Sequence, residues 1–167
     1  QYQTEQDAHN REVTRHFVVK AADGYMRAVS AWLESAVQDV KDHSNLLLEQ
    51  ARYAPETASA REEINRQQDL FDIVSWYHTL LPAKARRMIS GLLELPQQTD
   101  WNDGSDVFGT GKLMLVSIDR SLSAWTQLMP ILPDQETEIL GFLIRLDHLR
   151  RGIERAVPQA RAFVRPG

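Results

Sequence analysis

The stretch "YMRAVSAWLESAVQDVKDHSNLLL", residues 25–48, decides the fold class. Its apolar residues fall at Tyr25, Val29, Trp32, Leu33, Ala36, Val37, Val40, Leu47 and Leu48. Steps of three and four place them on one side of a helix with 3.6 residues per turn, and strand-type alternation is absent. A less regular helix is expected before it, over residues 4–22, with Asp23-Gly24 as a weak break or kink between the two.

The same spacing recurs along the chain. Pro55 marks the next boundary, and Ser59 with Glu62 reads as a capping box that opens a third helix. That helix carries Ile64, Leu70, Phe71, Val74, Tyr77, His78 and Leu81 inward, and Pro82 either restarts or kinks it. Met88, Ile89, Leu92 and Leu93 continue the pattern to Leu95, and residues 96–111 read as a long loop. Met114, Ile118, Leu122, Trp125 and Met129 define the next helix. Asp134 is then placed to cap a last one that buries Ile139, Phe142, Leu143, Leu146, Leu149 and Ile153. No four-to-eight-residue window alternates cleanly, so the chain is expected to be all-α, an antiparallel bundle of four to five long helices. Phe71, Phe142, Trp32 and Trp125 are expected in its core, and packing accounts for Trp76 and Tyr77 as well.

The 167 residues fit one domain, residues 1–167, and 43% hydrophobic with 25% charged composition is that of a folded protein. There is no cysteine, which excludes disulfides, thiolate metal sites and cysteine nucleophiles. Net charge is −4, which gives no reason to expect nucleic acid as a partner. The chain opens on Gln1 and not Met, and is expected to be a piece of a longer, membrane-associated protein.

Chemistry-bearing motifs are few. "GTGKL", residues 109–113, resembles the tail of a phosphate-binding loop, but Asp106 and Leu113 stand where that loop needs glycine and a hydroxyl. It reads as a glycine-rich connection, with Lys112 beginning a helix. Glu12 with His16, and Asp39 with His43, are one turn apart and read as surface ion pairs. No Glu-x-x-His occurs, so a di-iron bundle site has no ligand set, and no metal or other cofactor is expected. His78 shares an apolar stripe and reads as a core residue with a satisfied ring nitrogen. Serine-hydrolase motifs are missing, and no set of residues supports an enzyme.

Two features remain. Trp101, in the polar loop with Asp100, Asp103 and Asp106, is a candidate contact for a protein partner. From Arg145 to Arg165 six arginines face two acids, Asp147 and Glu154, a net +4 on the last helix. Asp147 with Arg151, and Arg150 with Glu154, have the spacing of solvated ion pairs, and the basic stripe reads as cover for an acidic neighbouring face. Arg145, Arg151 and Arg155, with His148 beside them, are also the candidate site for a small anion such as phosphate or a carboxylate.

"LIRLDHLRRGIER", residues 143–155, resembles the final-helix signature of phosphate-uptake-regulator (PhoU-like) bundles. The likeness is to the cytoplasmic domain that follows the membrane part of sodium/phosphate cotransporters. "REEINRQQDLFDIVSWYHTLL", residues 61–81, is similar to the family's helix with a charged start and an aromatic end. The resemblance implies a non-catalytic regulatory domain at the cytoplasmic face of the inner membrane. Its partner would be the membrane domain of the same polypeptide or another membrane protein. It carries over Asp147 and His148 as candidates, but the family's metal motif closes on an aspartate where this chain has Arg151, which repels a cation. The alternatives are an extracytoplasmic, periplasmic ligand-sensing bundle of a membrane receptor, or an interaction module. All three leave room for a homodimer.

Overall fold

The computed structural model describes residues 2–53, 58–95 and 105–164. Helices are α1 (Tyr2–Tyr53), α2 (Ala58–Arg66), α3 (Gln68–Glu94), α4 (Ser105–Leu128) and α5 (Glu136–Val164). Two 3-10 turns, Met129–Ile131 and Pro133–Gln135, join α4 to α5, and there is no strand among the described residues. The four long helices form an antiparallel bundle in which α1 packs on α3 and α5, and α4 on the same two. No helix among the described residues is long and apolar enough to cross a membrane.

Each long helix turns its three-to-four apolar stripe toward one shared core. Phe142, Leu146, Leu149 and Ile153 of α5 are buried against Met114, Ile118 and Trp125 of α4 and the inner residues of α1 and α3. Trp125 and Phe142 stand edge to face, with ring centroids 5.5 Å apart. The α1–α5 seam advances by seven residues on each side. Tyr25 donates its phenol O–H to Gln159 Oε1 at 2.6 Å. The ring of Trp32 lies on Gly152, and Asp39 pairs with Arg145 Nε at 3.3 Å. Positions 25, 32 and 39 thus meet 159, 152 and 145, the repeat of two helices in coiled-coil-like contact. Partial burial pushes the Tyr25 phenol above its ordinary range, because the charged phenolate is the form that loses solvation.

Several local expectations are corrected. Asp23-Gly24 does not break the chain, because α1 runs unbroken through it. Buried Ala22 and Met26 anchor that turn to the core, and Asp23 pairs with Arg27 at 2.9 Å. Together these offset the cost of one helical glycine, about 1 kcal/mol. Nothing lies within 4 Å of a Cβ added at Gly24. Gly24→Ala is therefore expected to stabilise the protein by about 0.5–1 kcal/mol in a urea melt, with no change in slope.

Ser59 falls inside α2, which begins at Ala58, so it is not the cap residue of a capping box. The expected third helix is interrupted once, at Gln67, where φ is −98° and ψ 24°. Pro82 sits inside α3 without ending it, and Asp134 belongs to a 3-10 turn instead of capping α5. "GTGKL" is no connection either: α4 starts at Ser105 and carries both glycines as helix.

Among the aromatics, Trp125 and Phe142 are fully buried as expected. Phe71 is only half-buried, at the edge of the core. Trp32 is 38% exposed because it rides the α1–α5 seam, and Trp76 is 67% exposed, on the outside of α3.

Candidate functional site

The arginine face of α5 can be built from helix geometry. At 100° per residue, Arg145, His148, Arg151 and Arg155 fall within an arc of about 120°. The structure brings them to that face, and most of their charge already has an address. Arg145 reaches Asp39 of α1, and Arg151 Nε reaches Asp147 one turn back at 2.9 Å. Arg150, on the flank, pairs with Asp119 of α4 at 2.8 Å and with Glu154 at 3.4 Å.

The basic stripe therefore covers carboxylates of its neighbours, and both ion pairs anticipated within α5 are formed. Each is exposed enough to contribute only about 0–1 kcal/mol. Arg155 and His148 are exposed, and neither makes an ion pair among the described residues. Asp147 is turned to Arg151 and not toward His148, as expected for consecutive helical residues about 100° apart. An anion on this face would have to compete with Asp39 and Asp147 for two of the three guanidinium groups.

The other histidines divide. His43 holds Asp39, its Nδ1 3.3 Å from the carboxylate and 2.8 Å from the backbone carbonyl. Glu12 and His16 make no ion pair, contrary to expectation; His16 instead lies edge-on to Phe17, ring centroids 6.2 Å apart. Both sit on the part of α1 that has no neighbouring helix to fix their side chains. Among the described residues no three His, Asp or Glu side chains converge as a metal-ligating group. The side chain of His78 and the whole of Trp101 lie outside the described residues.

A different place has the shape of a binding site. On the outer side of α3, residues 73, 76, 80 and 84 recur at helical spacing and form a strip about 80° wide, roughly 100° from the buried arc of Val74, Leu81, Met88 and Leu92. Ile73, Trp76 and Leu80 make it apolar, and Lys84 ends it with a charge. Across from it α4 presents Ser117 and Arg120, and the two walls enclose a groove of about 410 Å³. Lys84 Nζ donates to Ser117 Oγ at 3.4 Å, closing one end. Asp72, at the other end, accepts a hydrogen bond from Gln68 Nε2 at 3.2 Å.

The volume lies within the range of small-molecule sites, about 300–1,000 Å³, although the groove is open to solvent along its length. Sequence reasoning missed it because Trp76 continues an apolar stripe and was assigned to packing. The available signal was Lys84, a charge on the same arc, which the buried arc does not carry. Comparison of the chain with protein-family models, with curated proteins and with solved structures found no match.

Proposed function

We propose that this chain is a non-catalytic sensory bundle. It takes up a small ligand on its helices and relays the event along α1 to a membrane-associated partner or output segment. The observation that carries this reading is the overhang of α1. Its 52 residues span about 78 Å, against about 44 Å for the 29 of α5. Every residue from Tyr2 to Val18 is exposed, yet the helix is continuous with the packed part. Because α5 runs antiparallel to α1, it ends at the pole from which this arm emerges.

A bare helix of that length is marginal by itself. Joined rigidly to a bundle, it can convert a change in helix packing into rotation or tilt some 25 Å away. This favours the receptor-type setting, with the bundle outside the cytoplasmic membrane, over a regulatory appendage of a phosphate transporter. A transporter appendage is the coarser kin of the same idea, a helical domain that regulates and does no chemistry.

The test is a chimera in which an output module with a dimeric helical input precedes residue 2, with inserts of increasing length at the junction. Two residues rotate the output by about 200° and seven by about −20°. Signal is expected to be perturbed by the two-residue insert and restored by the seven-residue one. Output indifferent to insert length would overturn the reading.

A further inference from the structure

We propose that the groove between α3 and α4 binds a small aromatic carboxylate, its ring on Trp76 and its acid group on Arg120 and Lys84. The inference rests on the sensory reading and names the ligand class for it.

The apolar half comes first. An indole 67% exposed, with Ile73 40% exposed one turn away, is an apolar surface that folding leaves uncovered. A planar ring laid there would regain apolar burial and stacking without any change in the bundle.

The polar half follows from register. Lys84 meets Ser117, and α3 and α4 run antiparallel. Three residues on along α4, Arg120 is therefore level with residue 81, about 7 Å along the axis from Trp76. That is the reach of an acid group on a short arm from an aromatic ring. Arg120 makes no ion pair among the described residues, in contrast to Arg145, Arg150 and Arg151. Its forked donors suit a carboxylate, and the Lys84 ammonium supplies further donors beside it.

Charge selects the sign of the ligand. Two cations stand at one end of the groove, and the single acid, Asp72, is at the far end and already accepts from Gln68. A cationic ligand would face Lys84 and Arg120, and an inorganic anion would leave the apolar half unused.

The probe is 3-phenylpropionate, titrated calorimetrically into the 167-residue chain at low ionic strength, with tryptophan fluorescence followed in parallel. One site is expected with Kd on the order of 0.1–1 mM, typical for a ligand of this size on an open surface. Arg120→Gln and Trp76→Ala should each weaken it about tenfold or more. Both residues are exposed, so neither variant threatens the fold. Arg151→Gln should leave affinity unchanged. Uncharged 3-phenylpropanol should bind at least about tenfold more weakly, and inorganic phosphate should not compete. Equal affinity in wild type and Arg120→Gln, loss of binding on Arg151→Gln, or no heat at several millimolar probe would each overturn the proposal. The insert-length test of the sensory reading uses no ligand and stands or falls separately.

Discussion

Phe142→Ala is expected to destabilise the bundle by about 3–5 kcal/mol, seen as a lower urea midpoint at unchanged slope. Phe142 is fully buried on α5, edge-on to the indole of Trp125, which is itself fully buried on α4. Truncation removes the ring's transfer energy and leaves a cavity between helices whose other contacts hold them apart. The Trp125 side also loses its aromatic partner, worth about a further 0.5–1.5 kcal/mol. Domains of this size have only about 5–15 kcal/mol of net stability, so the loss is a large share of the whole. A loss below about 1 kcal/mol would mean that α4 and α5 can close over the gap, and that this part of the core is fluid.

The second large effect divides two glycines of one motif. In "GTGKL", now seen as helix, a Cβ added at Gly109 meets nothing within 4 Å. At Gly111 it would stand 2.9 Å from Val157 Cγ2 on α5 and 3.6 Å from Met88 Cε on α3. Gly109→Ala should therefore stabilise by about 0.5–1 kcal/mol, through lost freedom of the unfolded chain and better helix propensity. Gly111→Val should cost about 3 kcal/mol, because a β-branched side chain has no room where three helices converge and no rotamer that leaves the contact. Thermal melts of the two single variants read both signs. If Gly111→Val did not lower the melting temperature, close packing of α4 at Gly111 would be refuted.

These glycines also show where the sequence was legible and where it was not. Phe142, Leu146, Leu149 and Ile153 were readable because burial on a helix repeats with the helix period, a property of neighbours three and four apart. Glycine carries no such local message. At Asp23-Gly24 and in "GTGKL" it was read as a break, since propensity is a property of the single residue. The reason for Gly111 and Gly152 lies on other helices, in Val157, Met88 and Trp32, beyond the reach of any sequence window. Likewise α3 bears two apolar arcs, and periodicity alone does not say that the one with Val74 is covered while the one with Trp76 faces out. The arginine face of α5 follows from helix spacing alone. Its partners Asp39 and Asp119 lie on α1 and α4, so their pairing was readable only as a general tendency.

The berth of the Trp32 ring on Gly152 fixes how α1 and α5 are aligned along their axes. A seam that repeats every seven residues offers equivalent resting places one heptad apart, so repetition alone does not forbid slippage. Here the three matching places on α5 are Arg145, Gly152 and Gln159, and the middle one alone has no side chain. A Cβ at that place would overlap the indole. Gly152 is thus a notch cut for one ring, and displacing α1 along its axis drives that ring onto a neighbour that does have a side chain. The α1–α5 pair is thus locked in register along its axis at this one place.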